Sequence, residues 1–177
     1  MGNQFRHLII VEDNAEVREG FTLLIDSSER YQVINSYSNC EDALANLKQD
    51  QPDVALMDID LPGMNGIQGT AEIKRRSPDT EIIMITVMDN YKSVFEALKS
   101  GASGYLTKNA NASEILRAID QVMDGGSPMS TKIARMVVQS FQKNLDSPLS
   151  DRETEVLGQM AAGHLRFPQV FICPAPQ

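Results

Sequence analysis

The chain has 177 residues, is 42% hydrophobic and carries a net charge of −8, which suits one domain of ordinary size plus a short further segment. It contains no run of about 18 apolar residues, which argues against a membrane-spanning helix. Residues 1–124 hold 11 lysines and arginines against 20 aspartates and glutamates, a net charge of −9, so this part should not bind nucleic acid through charge alone.

Short apolar runs alternate with helical patterns through the first 124 residues. Nearly continuous apolar runs predict buried strands at 8–11, 54–57, 82–86 and 104–107, and an alternating segment predicts a half-exposed strand at 31–38. Amphipathic spacing predicts helices after these strands, at 14–25, 39–47, 67–76, 89–100 and 113–123. Five successive βα units indicate an α/β fold, with a parallel sheet covered by helices on both faces.

The pattern changes after Gly126. Residues 130–142 predict a linker helix, 145–151 form a break, and Ser150 and Glu153 have the spacing of a capping box. From His164 onward three prolines interrupt any helical period. These changes divide the chain into a domain at 1–124, a linker at 125–148 and a helical stub with an irregular tail at 149–177.

Reactive side chains follow four of the predicted strands at their carboxyl ends. They are Glu12 and Asp13, Asp58, Thr86 and Lys108. A polar residue at one strand end is ordinary because strand ends meet water. The carboxyl ends of parallel strands, however, lie at one edge of the sheet, where open α/β sheets form their binding and catalytic sites. Five such residues at this edge therefore favour a functional site.

The chemistry of this cluster points to a phosphoryl group and a metal. Carboxylates close together repel one another and attract a hard divalent cation, and Mg²⁺ suits a site with few carboxylates and a phosphate. Lys108 and Thr86 suit phosphoryl oxygens. Asp58 is the predicted nucleophile because it directly follows a buried strand, whereas the side chain of Asp60 is expected to face solvent.

The motifs IIVEDN, VALMDIDLPGMNG, IIMIT and GASGYLTK occur in this order, with 45 residues from Asp13 to Asp58, 28 on to Thr86 and 22 on to Lys108. Over residues 7–124 the chain thereby resembles the response regulators of bacterial two-component systems. The resemblance implies a flavodoxin-like (βα)5 receiver with strand order 2-1-3-4-5. It also implies that Asp58 accepts a phosphoryl group from a sensor histidine kinase.

The resemblance further assigns roles around Asp58. It implies Mg²⁺ held by Asp13, Asp58 and the backbone carbonyl of Asp60, with Glu12 acting mostly through water. Lys108 and Thr86 would contact the phosphoryl oxygens, and Tyr105 would match the aromatic that moves between outward and inward positions. Two residues depart from the family pattern. Asn109 replaces the usual proline, which leaves a cis Lys108–Asn109 bond open, and Val87 is bulkier than usual and is expected to crowd the site.

The segment LSDRETEVLGQMAAGH resembles the opening helix of a LuxR/NarL-type helix-turn-helix, and the following LRFPQVFICPAPQ fits neither of the helices that should come next. We therefore expect a truncated output domain. Promoter DNA is an expected partner of an intact parent but not of this chain. Phosphorylation is expected to promote homodimerisation, through the face built from residues 89–124 or through the first helix.

Two other functions fit parts of the sequence. A receiver-like module that is never phosphorylated would serve only for interaction, although such modules usually lack one of the acids, the threonine or the lysine. DIDLPG also resembles the nucleophile motif of haloacid-dehalogenase-type phosphatases. The leading prediction is a regulator with only self-phosphorylation and self-dephosphorylation chemistry, and not a turnover enzyme. Cys40 and Cys173, outside any CxxC motif, fit a cytoplasmic location.

Overall fold

The computed structural model describes residues 5–87 and 90–143, without the side chains of 141–143. Strand and helix alternate five times, and one further helix follows. The elements are β1 (Arg6–Val11), α1 (Ala15–Asp26), β2 (Tyr31–Tyr37), α2 (Cys40–Asp50), β3 (Val54–Met57), α3 (Gly66–Arg76), β4 (Glu81–Thr86), α4 (Tyr91–Lys99), β5 (Gly104–Thr107), α5 (Ala112–Met123) and α6 (Thr131–Lys143). Each predicted strand and helix up to α6 is confirmed, with ends shifted by a few residues at most.

The five strands form one parallel sheet in the order β2-β1-β3-β4-β5, as expected. Alternate residues of the central strands point to opposite faces, where they enter two apolar clusters. On one face Leu8 and Ile10 pack with residues of α1 and α5. On the other face Ile9 and Val11 pack with residues of α2, α3 and α4. Within the described ranges, no helix combines the length and apolar character needed to cross a bilayer.

Asparagine begins each of the helices α1 to α5. In every case the side-chain oxygen accepts a hydrogen bond from a backbone N–H in the first turn; the residues are Asn14, Asn39, Asn65, Asn90 and Asn111. Such caps satisfy amides that otherwise lack an intrahelical partner, and each typically stabilises by about 1 kcal/mol. Since these helices start near the carboxyl ends of the strands, the caps also fix the loops that carry the polar residues.

The loop after β3 folds tightly back on itself. The Gly66 amide donates to the Ile59 carbonyl over 2.9 Å. A Cβ atom at Gly66 would lie 1.8 Å from the carbonyl oxygen of Asp58. Only glycine therefore permits this close approach of the start of α3 to the backbone at Asp58.

Residues 128–140, which we name the edge segment, cover the free edge of β5. The Tyr105 amide donates to the Pro128 carbonyl over 2.9 Å, and the Ser130 amide donates to the Tyr105 carbonyl over 3.3 Å. Helix α6 then packs against α4, and fully buried Ile133 joins the apolar cluster that contains Tyr105. The helix predicted at 130–142 thus packs onto the domain. The predicted stub at 149–177 lies outside the described residues.

Candidate functional site

The carboxyl ends of four adjacent strands bring the predicted polar residues to one edge of the sheet. Glu12 directly follows β1, Asp58 follows β3, Thr86 ends β4 and Lys108 follows β5. Glu12 is 1% exposed, Asp58 is 4% exposed and Thr86 is fully buried. The fold therefore places two carboxylates in a largely solvent-excluded position, an arrangement that costs free energy unless a cation is near.

Lys108 provides that cation. Its Nζ lies 2.8 Å from Asp58 Oδ2 and 2.6 Å from Glu12 Oε2. Its backbone amide donates to the Thr86 carbonyl over 3.0 Å, which ties the residue to the end of β4. The second oxygen of each acid also accepts a hydrogen bond: Asp58 Oδ1 from the Ile59 amide at 2.7 Å, and Glu12 Oε1 from the Asn14 amide at 3.2 Å.

The electrostatics of the site follow from two acids sharing one ammonium. Burial raises the pKa of Glu12, and the nearby charge of Asp58 raises it further, against the opposing effect of Lys108. Burial lowers the pKa of Lys108, but its hydrogen bonds and charge interactions with Asp58 and Glu12 outweigh burial and raise that pKa overall. Lys108 therefore stays charged, and the site keeps an excess of negative charge.

Three of the predicted ligands meet at this edge. One carboxylate oxygen from each of Glu12, Asp13 and Asp58 lies within 4.8 Å of the others, with Asp13 exposed to solvent. A donor set made only of carboxylate oxygens fits a hard divalent cation, which would supply the positive charge that Lys108 alone does not. Asp60 is exposed and is not part of this group of three, as expected for its side chain.

The remaining predicted residues take different positions. Tyr105 is fully buried and faces inward, in the apolar cluster with Ile133 and not beside the acids. Val87 is 71% exposed, so its side chain lies in solvent and does not pack among the buried groups. The peptide bond between Lys108 and Asn109 is trans.

Sequence reasoning missed Arg18, on α1. Its Nη1 donates to the carbonyl oxygen of Glu12 over 2.6 Å and to that of Asp13 over 3.2 Å. The helical pattern drew attention to the apolar face of α1 alone. A usable signal was present, because Arg18 is the only lysine or arginine between Arg6 and Arg30 and comes five residues after Asp13.

Comparison with known proteins identifies the class to which this arrangement belongs. Residues 8–120 match the response regulator receiver domain family, and the chain belongs to that family. It is a two-component response regulator whose relatives include transcriptional regulators. This finding supports the leading prediction over the phosphatase and the pure interaction module.

Among individual proteins, the chain is similar to the response regulator GacA of Pseudomonas aeruginosa, with 34% identity over 162 residues that cover 89% of this chain and 76% of GacA. It is 30% identical over 168 residues to the oxygen regulatory protein NreC of Staphylococcus carnosus, covering 89% of this chain and 77% of NreC. A LuxR-family two-component response regulator from Aurantimonas sp. SI85-9A1 superposes with a TM-score of 0.73 and 29% identity, over 77% of this chain and 98% of that one.

Proposed function

We propose that Asp58 is the phosphorylation site and accepts a phosphoryl group from a phosphohistidine of a sensor histidine kinase. The observation that carries this proposal is the fixed position of its carboxylate, held by Lys108 at 2.8 Å and by the Ile59 amide at 2.7 Å beside two further acids. An Asp58 oxygen forms a bond to phosphorus while the bond from phosphorus to the histidine nitrogen breaks. The electron pair leaves with the imidazole.

The neighbouring residues have separate roles in this proposal. Asp13, Asp58 and the backbone carbonyl of Asp60 would hold Mg²⁺, with Glu12 acting mostly through water. The bound ion supplies positive charge to the phosphoryl oxygens. Lys108 moves its hydrogen bonds from the carboxylates to the phosphoryl group, and the Thr86 hydroxyl donates to another phosphoryl oxygen. Tyr105, which already faces inward from β5, takes part in the conformational switch and does not contact the phosphoryl group.

A labelling experiment tests the assignment of Asp58. Wild type, Asp58→Asn and Asp60→Asn are incubated with a small acyl-phosphate donor and Mg²⁺, and incorporation is measured by intact mass. Asp58→Asn should lose labelling completely, whereas Asp60→Asn should keep most of it because its side chain is exposed. Labelling lost only in Asp60→Asn would contradict the assignment. Wild type without any label would favour the interaction module.

Phosphorylation adds roughly −1.5 to −2 charge at Asp58, and we propose that this change promotes homodimerisation. The two predicted surfaces are the face built from residues 89–124 and helix α1. The edge segment already covers part of the first, since α6 packs on α4. Helix α1 instead presents Leu23, which is 67% exposed. Sedimentation of the phosphorylated chain should show a dimer at tens of micromolar. A monomer under these conditions would count against this step.

We propose no sequence-specific DNA binding by residues 1–177. The sequence after Gly163 lacks the pattern of the two helices that would seat such a module in the major groove, and residues 1–124 carry a charge of −9. A promoter fragment should therefore remain unshifted by this chain at low salt after phosphorylation, whereas a relative with a complete helix-turn-helix should shift its own promoter. In the same proposal the chain has no external substrate to turn over, and a reducing cytoplasm suits the free, buried thiol of Cys40.

A further inference from the structure

Arg18 joins helix α1 to the backbone that carries two of the acids. β1 ends at Val11, and the next two carbonyl groups accept hydrogen bonds from one guanidinium nitrogen of Arg18, over 2.6 Å from Glu12 and 3.2 Å from Asp13. The side chain is half-buried. A planar guanidinium with fixed donors suits two adjacent acceptors because little side-chain freedom is lost for each hydrogen bond formed.

Hydrogen bonds of Asn14 also hold the turn between β1 and α1. The Asn14 amide donates to Glu12 Oε1 over 3.2 Å, and the Asn14 side-chain oxygen accepts from the amides of Glu16 and Val17 at 3.0 and 3.1 Å. Residues 12–14 are thus held to the first turns of α1 from both directions. Asp13 is exposed, and the position of this short stretch of backbone sets the region that its carboxylate can reach.

We propose that Arg18 is a positioning residue for the divalent-cation site. It holds the Glu12–Asp13 backbone so that the Asp13 carboxylate stays within reach of Asp58, and it does not contact the ion. This role rests on the proposed Mg²⁺ site. It resembles the general action of residues behind metal ligands, which orient the ligands and affect affinity without binding the metal.

The sign of the effect separates positioning from simple charge. A guanidinium beside a cation site repels the cation, so an effect of charge alone predicts tighter Mg²⁺ binding when Arg18 is neutralised. Positioning predicts weaker binding, because the acids lose their arrangement. Arg18→Gln removes the charge and the guanidinium donor together, whereas Arg18→Lys keeps the charge and replaces the planar guanidinium with an ammonium group on a more flexible stem.

The experiment is a calorimetric titration of Mg²⁺ into wild type, Arg18→Gln, Arg18→Lys and the control Arg117→Gln, which removes an exposed arginine on α5. Thermal unfolding without Mg²⁺ verifies that each variant is folded. Arg18→Gln should raise the Mg²⁺ dissociation constant by about tenfold. Arg18→Lys should give an intermediate value, and Arg117→Gln should match wild type.

Two results would overturn the proposal, and they differ from each other. Equal or tighter binding by Arg18→Gln, with wild type binding normally, removes the positioning role and leaves the metal site intact. A folded wild type that gives no Mg²⁺ binding heat and no rise in melting temperature removes the metal site itself, and the role of Arg18 with it.

Discussion

The two ends of the sheet use the same kinds of charged residue in opposite ways. At the amino ends of the strands three acids are each matched by a cation of their own, and these pairs are partly exposed. These pairs are Arg6–Asp53 at 3.1 Å, Lys74–Glu81 at 3.5 Å and Arg30–Asp120 at 2.8 Å. At the carboxyl ends a single ammonium, that of Lys108, serves both Glu12 and Asp58, and Asp13 lies close by.

This difference shows that the ratio of cations to acids, and not the number of charged residues, distinguishes the carboxyl ends of the strands from their amino ends. Exposed, matched pairs contribute between zero and about 1 kcal/mol each. Two acids that are almost fully buried and share one cation keep an unmet demand for positive charge. In a response regulator that demand fits an incoming metal ion and phosphoryl group.

The largest expected effect comes from removing Lys108, with removal of Lys74 at the other end of the sheet as the comparison. Lys108→Met leaves Glu12 and Asp58 buried without their cation and should lower the free energy of unfolding by about 3 kcal/mol in Mg²⁺-free buffer. Lys74→Met, which breaks the more exposed pair with Glu81, should cost less than about 1 kcal/mol. Urea unfolding of both variants measures the two values. Equal losses would erase the proposed difference between the ends.

Metal linkage gives the next largest effect. Free Mg²⁺ at a hundred times its dissociation constant should stabilise wild type by about 2.7 kcal/mol, since only the folded chain assembles the three acids. Asp13→Ala should lose most of that gain. Asp53→Ala, at the amino end, should start from a lower melting temperature and keep the gain. The same Mg²⁺ response in Asp13→Ala and wild type would dismiss Asp13 as a ligand.

The smallest expected effect is a pH dependence. Burial raises the pKa of Glu12 in the folded chain above its ordinary value of 4.5. Between pH 4.5 and this raised pKa, the folded chain therefore holds a proton that the unfolded chain has released. The free energy of unfolding should therefore fall as pH rises from 4.5 through the raised pKa. Glu12→Gln should flatten this slope in Mg²⁺-free buffer. Urea unfolding at several pH values checks it, and an unchanged slope would place the pH dependence elsewhere.

The sequence predicted most of the fold because its signals are local. Apolar runs such as 54–57 and the asparagine caps define strands and helix starts within a few residues. Parallel strands then bring Asp58, Thr86 and Lys108 to one edge without further information. Contacts between elements far apart along the chain lack such signals. Arg30 and Asp120, 90 positions apart, and the pairing of Tyr105 with Pro128 depend on the three-dimensional approach of surfaces.

The edge segment has a consequence for where this domain can be cut. An outermost strand with free amides and carbonyls can pair with the same strand of another molecule and so promote aggregation. In this protein the amide of Tyr105 donates to the Pro128 carbonyl, and the carbonyl of Tyr105 accepts from the Ser130 amide. Ile133 covers the apolar surface beneath. A fragment ending at residue 124 would uncover both. An isolated receiver that stays dispersed at high concentration should therefore extend through residue 143.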